Sequence, residues 1–441
     1  MKELPQAYQN RMKELLGASF DAFLKSYDEA PRRGLRFNMR KIRRETVEKL
    51  VSAWHLKPVP WCGAGYYYEE SGMNAVRPGR SPYHDAGVFY IQEPSAMIPA
   101  ERARIGAGER VLDLCAAPGG KSTQAAQKAG LLISNEYIKK RAQILSSNIE
   151  RMGLGNVIVT SASAEALAGI FPLYFDCILV DAPCSGEGMM RRDEIAITEW
   201  SEENVALCAA RQREILENAF EMLRPGGRLV YSTCTFEPVE NGLQTEAFLK
   251  RHKELRLISE EQLYPHEAEG EGHYCAVFRR IGESGVSPEG GILQYGVTAP
   301  EPGSGGELRR QEMLLQSAAE RLRRNRIPIL RCGVELGARI IGKHRGEERY
   351  EPSHAEALSM REEELAGNSV DLLTEEAALS YLRGESLDLS RLPETGYRLR
   401  ITERSQKGIF LPVCYDGYPL GFGKLVGHTV KNHYPKGLRR R

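Results

Sequence analysis

The sequence predicts an α/β fold built on a doubly wound parallel sheet, flanked by an N-terminal α/β unit and a small C-terminal β unit. Three observations carry this reading. The apolar run Val111-Leu112-Asp113-Leu114 ends in a Gly-rich turn, Cys115 to Gly120, and Lys121 to Gln127 then reads as a helix, so strand, tight turn and helix open a βα unit. From about 96 to 280, apolar strand candidates alternate with helical stretches, the pattern of a sheet covered on both faces. From about 377 onward the apolar runs are short and broken by Gly and Pro, as in a small β-domain.

A chain of 441 residues is long enough for two to four domains. Composition shifts divide it at 1–95, 96–281, a Gly/Pro/Ser/Glu-rich linker over 282–306, 307–376 and 377–441. No run approaches the roughly 18 apolar residues of a membrane span, so no membrane partner is expected. The nine cysteines are scattered, with no C-x-x-C pair. That argues against a metal or disulfide framework and for reduced thiols in the cytoplasm. Net charge is only +1, so nucleic-acid binding has to be sought in the distribution of charge.

The elements follow in order. Tyr8, Met12, Leu15, Leu16, Phe20, Phe23 and Leu24 carry helical spacing. Arg32, Arg33, Arg36, Arg40, Lys41, Arg43 and Arg44 interleave with Leu35, Phe37 and Met39, which suggests a strand with a positive outer face, either solvated or phosphate-binding. The central strands are expected at Arg110–Cys115, Leu131–Asn135, Val157–Thr160, Phe175–Val180 and Arg228–Cys234, with a late strand at 273–278. In Arg211–Leu223 the apolar residues fall on one helical face, and Arg224-Pro225-Gly226-Gly227 stops the helix. The C-terminal end carries Lys431, Lys436, Arg439, Arg440 and Arg441 without an acid.

Ligands of such sheets bind beyond the strand C-termini. A P-loop requires a Gly where Cys115 stands, and the G-x-G-x-x-G of a dinucleotide site is absent. An adenosine-type cofactor without a pyrophosphate fits better. Two further strands end at Asp181-Ala182-Pro183-Cys184-Ser185-Gly186 and Tyr231-Ser232-Thr233-Cys234-Thr235, each delivering a cysteine to the ligand edge. Two thiols at neighbouring strand mouths, with Asp181 close by, point to catalysis, but spacing does not rank them.

In this order, the segments 113–121, 181–186 and 232–235 resemble the Nol/Nop/Sun family of RNA cytosine-C5 methyltransferases. Gly34-Leu35-Arg36-Phe37-Asn38 and Ile91-Gln92-Glu93-Pro94-Ser95-Ala96-Met97 are similar to that family's upstream segments. Lys431-Asn432-His433-Tyr434-Pro435-Lys436-Gly437-Leu438-Arg439, with Glu351-Pro352-Ser353-His354-Ala355, resembles the RsmF-type bacterial branch, which modifies small-subunit rRNA.

The resemblance implies a Rossmann-like class I methyltransferase sheet, an N-terminal RNA-binding subdomain, a C-terminal PUA-like domain, and S-adenosyl-L-methionine as cofactor. Cys115, Ala116, Ala117, Pro118, Gly119, Gly120 and Lys121 would wrap its amino-acid end. Glu136 would hold the ribose, with Arg141 nearby. Ser163 stands where the family usually has an acid near the adenine, and its hydroxyl can still hydrogen-bond the base. Cys234 would be the nucleophile, Cys184 would assist release, and Asp181 would contact N3 and the exocyclic amine of the flipped cytosine. Lys121 is either near the ligands or a solvent-facing residue at a helix start. The expected partner is ribosomal RNA, met by a monomer without metal. A tRNA substrate and a non-catalytic assembly factor are the alternatives, and a DNA cytosine methyltransferase would share the chemistry with the Pro-Cys thiol as nucleophile.

Overall fold

The computed structural model describes residues 4–282, 305–341, 348–365, 367–401 and 408–440. Most of the 282–306 linker and Arg441 lie outside the described residues.

The central sheet has eight strands: β1 (Arg110–Asp113), β2 (Leu131–Asn135), β3 (Val157–Thr160), β4 (Phe175–Asp181), β5 (Leu223–Thr233), β6 (Leu255–Leu263), β7 (His273–Arg280) and β8 (Ile329–Cys332). Their order is β6-β7-β5-β4-β1-β2-β3-β8. β1 to β5 run parallel, and β7 returns antiparallel beside β5 with Tyr274 opposite Thr233. β2 and β3 are buried along their whole length, which explains their continuous apolar sequences. Successive residues feed two cores. Leu112, Ile133, Ile158 and Ile178 lie in one core with Leu216 and Ala219 of the helix Glu202–Met222 and Ala318 and Leu322 of the helix Gly305–Arg324, while Val111, Leu132, Val159 and Leu179 lie in another with Leu145 and Ile149 of the helix Lys139–Arg151. The helix Glu202–Met222 packs on the side of β4 and β5. It starts where Ser201 caps it, accepting from Asn204 N at 3.1 Å.

Strand order reverses between β1 and β4, so their C-terminal ends, Asp113 and Asp181, flank the crevice at the topological switch point.

Two smaller sheets lie on either side in sequence. An antiparallel four-stranded sheet contains Lys57–Pro58, Gly65–Tyr68, Arg33–Phe37 and Phe89–Ile91. A mixed six-stranded sheet contains Leu387–Asp388, Thr429–Asn432, Tyr418–Val426, Ile409–Tyr415, Ser369–Leu372 and Tyr397–Arg400. The two units share one core, in which Leu35, Phe37 and Leu50 join Val370, Val413 and Leu420.

Two expectations are corrected here. The basic strand has no positive outer face: it is paired on both edges and buried from Gly34 to Phe37, and Arg36 is 1% exposed. The segment 307–376 is not a unit by itself. Its first part forms the helix Gly305–Arg324 and the edge strand β8, while Ser369–Leu372 belongs to the C-terminal sheet. Short apolar stretches complete whichever sheet edge lies open to them, and sequence separation does not show which. Among the described residues no helix is long and apolar enough to cross a membrane.

Candidate active site

The Gly-rich turn follows β1. Gly119 has φ +117°, a conformation open to glycine, and a Cβ there would meet Leu145 Cδ1 at 3.0 Å. The turn is held from outside the sheet. The Arg36 guanidinium donates to Gly120 O at 3.2 Å, to Thr123 Oγ1 at 2.7 Å and to Gln92 Oε1 at 3.0 Å. Beneath the turn, Ser122 Oγ donates to Asp113 Oδ2 at 2.6 Å, and Asp113 Oδ1 is buried without a hydrogen-bond partner. Burial pushes the Asp113 carboxyl up to about 7 despite the Ser122 hydrogen bond.

At the end of β2, Glu136 is 4% exposed. Its Oε1 accepts from Ile138 N at 3.0 Å and its Oε2 faces Arg141 Nη1 at 3.3 Å. Arg141 also donates to Ala117 O at 3.0 Å, so it ties the two walls of the crevice together. The Ser163 hydroxyl oxygen caps the helix Ala164–Ile170, accepting from Ala166 N at 3.2 Å, and its O–H is left to donate. These residues fit an adenosine-type sulfonium cofactor. A glycine cradle, an orphaned carboxylate oxygen at its base and a carboxylate with acceptor capacity to spare match an α-amino acid and a ribose diol. At the start of the turn, burial and the Asp113, Asp181 and Glu136 carboxyls push the Cys115 thiol far up, which disfavours a thiolate there.

Across the switch point, Lys121 Nζ sits 2.8 Å from Asp181 Oδ2. Lys121 is 8% exposed, so the solvent-facing alternative falls. Burial opposes its charge, but Asp181 outweighs burial and raises its pKa, keeping it an ammonium. Asp181 Oδ1 accepts from Ser232 Oγ at 2.8 Å, with His273 Nε2 at 3.6 Å. Burial would push Asp181 up, yet the Lys121 ammonium and the nearby His273 ring hold it well below the usual carboxylate range. Burial and the Lys121 charge push the His273 imidazole below its ordinary value.

The thiols meet beyond β4 and β5. Cys184 Sγ lies 3.4 Å from Cys234 Sγ. The Cys184 thiol is pushed up first by its hydrogen bond to Cys234, then by burial. Glu240 anchors the Cys184 loop: its carboxylate accepts from Ser185 N at 3.1 Å, Ser185 Oγ at 2.5 Å and Gln212 Nε2 at 2.6 Å. Burial pushes Glu240 up to about 7. The structure therefore gathers Asp181, Cys184, Cys234 and Lys121 on one rim, with 115–120, Glu136 and Arg141 on the adjoining wall. Sequence reasoning missed His273, Ser232, Glu240 and Arg36 as members of the site. Strand register is the signal for His273, since Tyr274 opposite Thr233 sets it beside Cys234. Among the described residues no cluster could hold a metal ion.

Known proteins resemble this chain along most of its length. Residues 104–279 match the family model of 16S rRNA methyltransferase RsmB/F, residues 4–94 the N-terminal domain of 16S rRNA methyltransferase RsmF, and residues 369–440 the RsmF PUA domain. The chain is 32% identical to ribosomal RNA small subunit methyltransferase F of Klebsiella pneumoniae (strain 342), over 99% of this chain and 96% of that protein. It is 29% identical to the Erwinia tasmaniensis protein of the same name, over 99% of this chain and 97% of that one. Among solved structures, a methyltransferase homolog from Pyrococcus horikoshii aligns with a TM-score of 0.55 at 27% identity, covering 63% of this chain and 95% of that one. NSun6 from the same organism shares the fold, with a TM-score of 0.56 at 21% identity, over 63% of this chain and 99% of that one. The chain belongs to the RsmB/RsmF family of 16S rRNA cytosine-C5 methyltransferases with a C-terminal PUA domain, and is an S-adenosylmethionine-dependent RNA methyltransferase.

Proposed function

We propose that this chain methylates C5 of cytosine in small-subunit ribosomal RNA through a covalent adduct between Cys234 and C6. The observation that carries the reading is the thiol pair at 3.4 Å beside the Asp181–Lys121 ion pair. The names of the relatives support the small-subunit target.

Cytosine C5 is a weak nucleophile. Addition of the Cys234 thiolate to C6 forms an S–C bond and moves the ring π electrons toward N3, leaving C5 enamine-like. Asp181 is a carboxylate, so it accepts from the exocyclic amine and from protonated N3. The Lys121 ammonium beside Asp181 is the proton donor suited to N3. The cofactor supplies an electrophilic methyl group, which becomes bonded to C5. A base then takes the C5 proton, N3 returns its proton to Lys121, the C–H electron pair restores the C5–C6 double bond, and the S–C6 bond breaks to release the Cys234 thiolate. Cys184, 3.4 Å from Cys234, assists release by hydrogen-bonding its S–H to the leaving Cys234 sulfur. The amino-acid end of the cofactor is assigned to 115–121 and the ribose to Glu136, with Arg141 bracing that wall and Ser163 donating toward the adenine. A monomer acting in the cytoplasm suits nine free cysteines, which persist in a reducing compartment.

The test is a denaturing gel with labelled rRNA and cofactor. Cys234→Ala is expected to abolish both methylation and any slow-migrating adduct. Cys184→Ala is expected to trap RNA on the protein, because a defect in a late step lets the earlier intermediate accumulate. The opposite pattern would assign the nucleophile to Cys184. Bisulfite sequencing of cells with and without the protein locates the target, and methylation confined to tRNA would overturn the small-subunit reading.

A further inference from the structure

The two cysteine loops are tied together by a buried carboxylate that the mechanism does not use. Glu187 lies three residues after Cys184, and its side chain is 0% exposed. Its Oε2 accepts from the backbone N of Phe236, two residues after Cys234, at 3.0 Å. Its Oε1 accepts from the Trp200 indole N–H at 2.9 Å. The loops also touch directly, with Gly188 N donating to Cys234 O at 2.8 Å. A Cβ at Gly188 would stand 2.9 Å from that oxygen, so the approach requires glycine.

The countercharge comes from far away in sequence. Arg11, on the helix Gln6–Leu16, pairs its Nη2 with Glu187 Oε1 and its Nη1 with Glu237 Oε2 at 2.5 Å. Its guanidinium also lies 5.0 Å from the Trp200 ring centroid. The helix is seated by Tyr8 and Met12, which pack with Phe23, Met190, Trp200 and Phe236. Without Arg11 two buried carboxylates, one on each cysteine loop, would lose the cation that pairs with both, a loss that low-dielectric surroundings strongly disfavour.

We propose that Arg11 is a positioning residue for the thiol pair: by neutralising Glu187 and Glu237 together, it holds the Cys184 loop against the Cys234 loop. The proposal rests on the reading that the two thiols act in turn on RNA. It makes the N-terminal helix a part of the catalytic unit rather than only an RNA-binding surface.

The test uses the full chain and the variants Arg11→Met and Arg11→Lys. Thiol spacing is read without catalysis, by the rate at which diamide oxidises Cys184 and Cys234 to a disulfide, itself being reduced to the hydrazine, with the cross-link quantified by peptide mass spectrometry. Arg11→Met is expected to slow cross-linking and to lower kcat by about ten- to a hundredfold, the scale of a displacement of about 1 Å at a reacting centre. KM for S-adenosylmethionine is expected to stay unchanged. Arg11→Lys is expected to recover most of both rates, because one cation again lies between the carboxylates. A folded Arg11→Met protein with wild-type cross-linking or wild-type kcat overturns the proposal. Should Arg11→Met not fold, Arg11→Lys is judged by the same two rates, and a loss as large as that expected of Arg11→Met overturns the view that the charge is what matters. Methylation surviving in Cys234→Ala would instead overturn the catalytic reading, and the cross-linking rate would still judge the spacing.

Discussion

Asp181 and Asp416 are built alike and do different things. Each carboxylate takes a lysine ammonium, Lys121 at 2.8 Å and Lys49 at 3.0 Å. Each takes a hydroxyl, Ser232 at 2.8 Å and Tyr83 at 2.6 Å. Their side chains are 33% and 34% exposed, and both are held below the usual carboxylate range. Asp416 closes the junction between the N-terminal and C-terminal sheets, where its carbonyl also accepts from Arg43 Nη2 at 2.7 Å. Asp181 lies at the strand-order reversal beside two thiols, with His273 Nε2 and Asp113 Oδ1 buried nearby without hydrogen-bond partners. The local chemistry of a charged cluster therefore does not distinguish a site from a strut. Its place on the sheet and the unsatisfied groups around it do.

The largest effect expected from this comparison comes from replacing each aspartate by asparagine. Asp181→Asn strips the buried Lys121 of its countercharge and removes the acceptor for the substrate base. It is expected to lower kcat by roughly a thousandfold and to destabilise the fold by about 3 kcal/mol. Asp416→Asn keeps an acceptor for Tyr83, and Lys49 is 59% exposed, so a loss of about 1 kcal/mol with unchanged kcat is expected. Single-turnover methylation and urea unfolding of both variants check this. Equal losses of activity would erase the distinction.

Arg36 sharpens the comparison from the cofactor side, since it is a strut that reaches the site. Arg36→Met removes the three hydrogen bonds that hold Gly120, Thr123 and Gln92. The expected result is a stability loss of about 2 kcal/mol and cofactor binding weakened about tenfold in calorimetry, or roughly 1.4 kcal/mol. Wild-type affinity in a folded variant would show that the turn keeps its shape unaided.

Much of the sheet was legible in the sequence because β1 to β5 are buried and read as apolar runs bounded by Gly or polar turns. β6 was not: Arg256 to Glu260 are exposed, so this edge strand has no apolar run and no clean alternation. β8 begins in the short apolar stretch Ile327-Pro328-Ile329-Leu330, and nothing local ties it to the central sheet, because its partner β3 lies some 170 residues earlier. In the site, the cysteines, Asp181 and the Gly-rich turn announced themselves by motif. The residues that hold them did not. Arg36 reads as one of a cluster of basic residues, either solvated or phosphate-binding, and nothing in the sequence singles out Glu187, Glu240 or Arg11. A sequence shows which charges a chain has, but only packing shows which of them are turned inward.

A smaller effect concerns pH. Asp113 has its carboxyl pushed up to about 7 by burial, from an ordinary value of 3.8. Between about pH 4 and pH 7 the unfolded chain has released this proton while the folded chain keeps it, so this group makes stability fall as pH rises through that window. Glu240, pushed up to about 7 from 4.5, acts in the same direction. Asp113→Asn retains an acceptor for Ser122 and removes the titration. Urea unfolding of wild type and variant at pH 5 and pH 7.5 is expected to show a shallower decline in the variant. Parallel pH profiles would mean that Asp113 is ionised in the folded protein.

The smallest effect tests the other end of the comparison, where cations are neither site nor strut. Lys431 and Lys436 are exposed in the C-terminal unit, whereas Arg40, exposed after the N-terminal strand, is tied to Asn156 Oδ1 at 3.0 Å. Arg36 and Arg440, from the same two basic stretches, are turned inward, Arg440 pairing with Asp85 and donating to Ser81 O at 3.0 Å. If the outward cations contact phosphates, each substitution to Gln removes one released counterion. The slope of log affinity against log salt is then expected to fall by about 0.7–0.9 per residue. Arg36→Met is expected to leave that slope untouched, whatever it does to the cofactor. RNA-binding titrations at several salt concentrations decide between the two classes. An unchanged slope in Lys431→Gln and Lys436→Gln would make these lysines solvated charges, and a reduced slope in Arg36→Met would mean that RNA binding draws the buried guanidinium out toward phosphate.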